Sequence, residues 1–204
     1  MVDTIDWLGH SSVRIRAEKI VYIDPWKLGK SGKADMVLIS HPHSDHCSPG
    51  DVKKVMRDDT VIIATADCAP GLPGNIRVVQ PGDEVSLGAI RVTAVPAYNV
   101  NKAFHPKAKG WVGFVITVGG KNIYYAGDTD VIPEMKKLKA DIMIVPVGGT
   151  YTMTAEEAAD AVNIINPVAA VPVHYGDIVG SLDDAKRFKE LCRCEVVIKP
   201  AVTA

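Results

Sequence analysis

An α/β sandwich built from two similar halves is the fold class that the sequence predicts. Three observations carry it. Apolar runs of strand length dominate the first two thirds of the chain, with helical stretches between them. The order of strands followed by a helix recurs once, with no close internal repeat and no domain-sized linker, so residues 1–204 read as a single domain. Residues able to bind metal stand where apolar runs stop. Asp24 follows Ile20–Ile23, His41 follows Met36–Ser40, Asp128 follows Ile123–Ala126, and His174 follows Val168–Val173. Strands in one sandwich bring such ends to a common edge.

The elements follow in order. Residues 1–24 read as two or three short strands. Thr4–Leu8 leads into Gly9-His10-Ser11-Ser12, Val13–Arg16 alternates apolar and charged, and Ile20–Ile23 is a buried run ending at Asp24-Pro25. Residues 27–35 hold Gly29 and Gly32 and read as a mobile loop. Met36–Ser40 is the next strand. Ser48 is a natural N-cap, Pro49 suits a first turn, and Asp51 favours the positive end of a helix that continues from Val52 to Arg57. Val61–Ala64 is a strand, and Ala66–Pro70 a turn or short helix. Ile76–Val79 and Ala89–Val95 are strands around a turn at Pro81-Gly82-Asp83. Residues 96–110 are polar and aperiodic and read as an active-site loop. Trp111–Val118 and Lys121–Tyr125 form a hairpin about Gly119-Gly120. Pro133 starts a short helix through Leu138, and Asp141–Val147 is a buried strand. Thr154-Ala155-Glu156-Glu157 is a capping box that opens a helix to about Ile165. Val168–Val173 is a strand, Asp183–Cys192 a helix and Glu195–Ile198 a last strand.

Composition narrows the function classes. The chain has 204 residues, 47% hydrophobic and 23% charged, with a net charge of −1. That balance gives no reason to expect nucleic acid as a partner. No apolar run approaches the roughly 18 residues of a membrane span. No basic stretch followed by a long apolar one opens the chain, so a cytoplasmic location is expected. Cys47, Cys68, Cys192 and Cys194 do not form a secreted-type disulfide framework and read as reduced, partly buried thiols.

The chemistry is concentrated in His41-Pro42-His43-Ser44-Asp45-His46, which holds three of the six histidines. Side chains two apart in an extended segment share a face, so His41 and His43 can hold one ion. The chain then turns, and Asp45 and His46 can hold a second. A carboxylate such as Asp128 can bridge two cations, and His174 can close the second set. Imidazole with carboxylate suits zinc, iron or manganese.

The His41-x-His43-x-Asp45-His46 signature, Gly127-Asp128-Thr129 and the late His174 resemble the metallo-β-lactamase-fold hydrolases. Trp7-Leu8-Gly9-His10-Ser11-Ser12 and Ile23-Asp24-Pro25 are similar to its small-hydrolase branch, which includes ascorbate-6-phosphate-lactonase-like proteins. The resemblance covers roughly residues 4–178. It implies a four-layer αββα sandwich with the site at one edge of the two sheets, and a metal-dependent hydrolase that uses metal-activated water. It implies two divalent ions, zinc foremost, with manganese or iron as alternatives. His41 and His43 would bind the first, Asp45, His46 and His174 the second, and Asp128 would bridge.

One departure stands out. The family supplies a further histidine to the first ion soon after the strand matching Ala89–Val95. Here that stretch reads Pro96-Ala97-Tyr98-Asn99, and the nearest histidine is His105. His105 is taken as a ligand reaching in from the loop, with substrate contact or an exposed bystander as the other readings. Asp45 and His10 are the expected catalytic groups, Asp45 handling the nucleophile's proton and His10 supporting the oxyanion. Asp24 either forms a turn or orients a ligand histidine. Tyr98, Tyr151 and Tyr175 read as packing residues able to donate a proton, and Trp26 and Trp111 as core or pocket wall. Lys102, Lys107 and Lys109 are either a solvated face or an attraction for an anionic substrate. The expected substrate is a small ester, lactone or phosphodiester, acted on by a chain that can self-associate. The rival functions are a nuclease, a di-iron redox protein and a non-catalytic metal-binding protein. Relatives of the di-iron kind carry glutamate where His43 stands.

Overall fold

The computed structural model describes residues 1–202. Its strands fall into two sheets that divide the chain near its middle. The first sheet holds β1 (Ile5–Gly9), β2 (Ser12–Arg16), β3 (Ile20–Ile23), β4 (Met36–Ile39), β5 (Val61–Ala64) and β6 (Asn75–Val78), side by side in chain order. The second holds β7 (Glu84–Leu87), β8 (Ile90–Pro96), β9 (Val112–Val118), β10 (Lys121–Tyr125), β11 (Ile142–Pro146), β12 (Ala169–Val173) and β13 (Glu195–Val196), again in chain order.

Each sheet starts antiparallel and turns parallel, from β3 in the first and from β10 in the second. Parallel neighbours need a crossover, and α-helices supply three of the six. Helix α1 (Pro49–Val55) links β4 to β5, α2 (Ala155–Ile165) links β11 to β12, and α3 (Leu182–Leu191) links β12 to β13. Each helix start is written in the sequence. Ser48 caps α1, Thr154 and Glu157 form a capping box on α2, and Ser181 and Asp184 form another on α3. Gly119 and Gly120 both take positive φ, which the two-residue hairpin between β9 and β10 requires.

The layers follow from burial. Met36 and Leu38 of β4 face the other sheet, in one core with Phe114, Ile116 and Ile123. Val37 and Ile39 face outward into a second cluster under Val52 and Val55 of α1. A strand covered on both faces is apolar throughout, as the run at 36–39 is. On the outer side of the second sheet lie α2 and α3, through Ala158, Val162 and Phe188. The result is the αββα sandwich.

Several boundaries differ from expectation. β7 has no counterpart in the sequence reading. Its residues alternate exposed and half-buried at a sheet edge, so it lacks an apolar run. The turn at 81–83 therefore carries the chain from one sheet to the other instead of joining neighbouring strands. Helix α1 stops at Val55, before Arg57, and β13 ends at Val196. No helix among the described residues is long and apolar enough to cross a membrane.

Candidate metal centre

The carboxyl ends of the parallel strands meet at one edge of the sandwich, the usual place for a site in such sheets. β3 delivers Asp24, β4 delivers the 41–46 loop, Asp128 lies just past β10, and His174 follows β12. His105 comes in from the loop between β8 and β9.

Their ligand atoms form two groups. His41, His43 and His105 place nitrogens within 4.8 Å of one another, and so do His10, Asp45, His46 and His174 with their nitrogens and carboxylate oxygen. Asp128 stands between the groups. Its Oδ2 lies 3.1 Å from His174 Nε2, 3.3 Å from His105 Nε2 and 3.9 Å from His41 Nε2. Its Oδ1 lies 3.3 Å from His46 Nε2. Within the first group, His41 Nε2 is 3.1 Å from His43 Nδ1. Within the second, Asp45 Oδ2 is 3.1 Å from His10 Nε2 and 3.4 Å from His46 Nε2. Edges of 3.1–3.4 Å match the spacing of donors that each stand about 2 Å from a shared cation.

The outward-facing ring nitrogens of His41 and His46 are held by the fold. His46 Nδ1 lies 2.7 Å from Asp24 Oδ2. His41 Nδ1 lies 2.9 Å from Ser40 Oγ, which donates to Asp24 Oδ2 at 2.5 Å. Tyr125, from the other sheet, also donates to Asp24 Oδ2, at 2.8 Å. These bonds turn the Nε2 lone pairs of both histidines toward the centre. Asp24 thus orients ligands, the second of its two expected roles.

Asn99 does the same for His105. Its Oδ1 accepts from the His105 backbone N–H at 2.9 Å and pairs with Nδ1 at 3.1 Å. Its Nδ2 donates to Asp130 and to the Tyr151 carbonyl, which settles the amide's orientation. Asn99 therefore aims a histidine that comes six positions later in the chain.

Backbone strain is concentrated here. His10, Asp24 and His174 take φ of 47°, 45° and 60°, the left-handed region that side chains other than glycine rarely enter. Such residues persist where the surroundings fix them, at about 1–3 kcal/mol each. His174 N donates to the His10 carbonyl at 2.8 Å, tying two of the three together. A Cβ on Gly148 would meet the His174 carbonyl oxygen at 2.3 Å, so only glycine fits there.

The electrostatics suit cation binding. Burial drives His41 well below the usual histidine range, helped by His46 although Asp128 opposes it, and burial also lowers His10 and His43. Burial opposes ionisation of Asp45 and Asp128. The imidazoles around them outweigh it and hold both carboxyls well below the ordinary range. Burial likewise opposes charge on His46, but Asp128 and Asp24 raise it well above the usual value.

The donor set fits divalent metal on two further observations. His46 Nε2, His105 Nε2 and Asp128 Oδ1 are buried with no well-directed hydrogen bond, a costly arrangement that a cation relieves. All the donors are imidazole or carboxylate, a set that zinc, iron and manganese accept.

The structure brings together all seven residues expected as ligands, and His10 with them. His10 Nε2 falls inside the second ligand group, a position that sequence spacing cannot reveal. Trp111 packs against His41, His43 and His105 at ring distances of 5.0–5.6 Å, and Trp26 stands 5.4 Å from His10, so both support candidate ligand rings from behind instead of lining the cavity. Tyr98 is turned away, donating to Glu134, and Tyr175 stacks on Trp7. Tyr151 lines the cavity, which has a volume of about 290 Å³. Two of the three lysines expected to attract an anion are already paired. Lys102 holds the buried Asp130 at 2.6 Å, and Lys107 holds Glu134 at 2.9 Å. Asp130, which also accepts from Asn99 and the Val100 backbone, was not foreseen.

Residues 4–174 match the beta-lactamase superfamily domain. The chain is 31% identical to a UPF0173 metal-dependent hydrolase of Caldivirga maquilingensis, over 92% of this chain and 88% of that protein. It is 31% identical to a UPF0173 metal-dependent hydrolase of Thermococcus onnurineus, over 95% of each. A crystal structure of a protein from Parabacteroides distasonis superposes with a TM-score of 0.86 at 33% identity, covering 96% of this chain and 91% of that one.

Proposed function

The chain belongs to the beta-lactamase superfamily as a metal-dependent hydrolase, and on that premise we propose that it cleaves a small ester, lactone or phosphodiester at a centre holding two divalent ions. The observation that carries this reading is the pair of largely buried ligand groups with Asp128 between them, on the floor of a cavity. His41, His43 and His105 would hold one ion and Asp45, His46 and His174 the other, with Asp128 standing between them. Zinc is the first choice, with manganese or iron next. Bound there, such ions polarise a water and the bond under attack.

The chain's own groups do the rest. Asp45 stays ionised and faces the cavity, so it can accept a hydrogen bond from the attacking water and orient it. His10 Nε2, 3.1 Å from Asp45 Oδ2, holds that carboxylate in place. A volume of about 290 Å³ lies at the small end of ligand pockets and suits a small molecule, not a strand of nucleic acid. A cytoplasmic setting is supported by four free cysteines.

The test is metal analysis joined to a panel of ester, lactone and phosphodiester substrates. The wild type is expected to hold two ions per chain and to turn over at least one class. His105→Ala is expected to lose one ion and most activity. Unchanged stoichiometry in that variant would remove His105 from the ligand set. Full occupancy with no turnover on any class would leave a metal-binding protein.

A further inference from the structure

We propose that the cavity above the metal centre selects an uncharged substrate bearing an apolar group, such as an aryl or branched-alkyl ester or lactone, and that Phe104, Tyr151 and Ile178 bind that group. This rests on the hydrolytic reading and narrows its substrate.

The floor of the cavity is polar, with His43, Asp45, His105, Asp128 and His174. Its upper wall is apolar. Phe104 and Ile178 both line it and are 47% and 48% exposed. Large apolar side chains left open beside a reactive centre mark a surface that a ligand covers. Phe104 meets Tyr151 edge to face, with centroids 4.7 Å apart and planes at 89°. That contact braces Phe104 against a second loop, and the Tyr151 carbonyl is itself held by Asn99. The wall is therefore tied to the residue that aims His105. Ile178 closes the far side, four residues after His174.

The charges around the rim point the same way. Among the described residues no lysine or arginine lines the cavity. Lys102 is committed to Asp130 and Lys107 to Glu134, and Lys27 is committed to Asp177 at 2.9 Å. A phosphate or carboxylate on the substrate, away from the scissile bond, meets no cationic side chain and loses hydration on entry. An apolar group in the same place leaves no polar atom unpaired and shields Phe104 and Ile178 from water.

The proposal is tested by binding, separately from turnover. Three hydroxamates share one metal-binding head and carry a methyl, a benzyl or a carboxyethyl tail. Each is titrated calorimetrically into the metal-loaded protein. The benzyl compound is expected to bind about 10-fold or more tighter than the other two. Phe104→Ala and Ile178→Ala are each expected to remove several-fold of that advantage while leaving the methyl compound unchanged, and Phe104→Leu to keep most of it. Tightest binding by the carboxyethyl compound would overturn the proposal. So would a benzyl advantage that survives the double variant. Failure of the matching benzyl and methyl esters to hydrolyse would count against the hydrolytic reading alone, because the order of hydroxamate affinities decides the wall's role by itself.

Discussion

Asp24 and Asp128 occupy corresponding places in the two halves of the molecule. Each follows the strand at which its sheet turns from antiparallel to parallel, β3 in one and β10 in the other. Both carboxylates are buried. Asp24 is fully occupied, accepting from the Ser40 backbone and hydroxyl and from Tyr125, with His46 Nδ1 at 2.7 Å. Asp128 has only imidazole nitrogens around it, and its Oδ1 makes no directed hydrogen bond. A saturated carboxylate positions other groups, whereas an unsaturated one keeps lone pairs for a cation. Two similar halves have thus placed the same residue type at the same turn and assigned it two tasks through its neighbours.

The largest expected effect separates the two directly. Asp128→Asn removes the shared contact, and metal content should fall below one ion per chain, with turnover reduced by on the order of 10³-fold. Asp24→Asn leaves every ligand in place but sets an amide N–H against Ser40 or His46. Metal affinity should drop about 10- to 100-fold, with turnover largely restored at saturating metal. If the two variants prove indistinguishable in metal titrations, the division of labour between them is wrong.

A third effect is in the pH dependence of the metal-depleted protein. The pKa of His46 is raised on folding by Asp128 and Asp24, against burial. Its proton therefore stabilises the depleted fold fully below an unfolded value of about 6.5, and that contribution is lost as pH climbs through the raised value. The depleted protein should lose thermal stability as pH rises above neutrality. Metal uptake near pH 7 should release about one proton from His46, measurable by calorimetry in buffers of different ionisation enthalpy. No proton release would place His46 in its neutral form from the start. The smallest effect concerns the tie between halves. Tyr125→Phe takes one donor from Asp24 and should cost about 1 kcal/mol in denaturant unfolding, with metal stoichiometry intact.

Strand ends and ligands were legible for one reason. Apolar runs such as Ile20–Ile23 and Val168–Val173 end abruptly at Asp24 and His174, and local pattern reports both the strand and its stop. Capping residues of α1 and α2 were equally local. What escaped depends on three dimensions. β7 earns its place from pairing with β8 at an edge and has no apolar signature. The role of Asn99 is visible only once loop 97–111 folds back so that His105 meets it. The lysines looked free because their partners, Asp130 and Glu134, lie 28 and 27 residues away. The approach of His10 to Asp45, across 35 positions, is set by the sheet and not by spacing.

The chain-order layout of the strands bears on biosynthesis. The first sheet is complete by Val78, and it already carries His10, His41, His43, Asp45 and His46. Its inner face has no cover until β8 to β12 are made, and neither ligand group is complete until His105, Asp128 and His174 arrive. Between His41 and His174 the ribosome must add 133 residues, which takes roughly 7–27 s at about 5–20 residues per second. During that interval the nascent chain displays an incomplete chelate beside an uncovered apolar sheet. Both candidate ligand groups are therefore completed only with the second sheet, whose closure over the first brings their halves together.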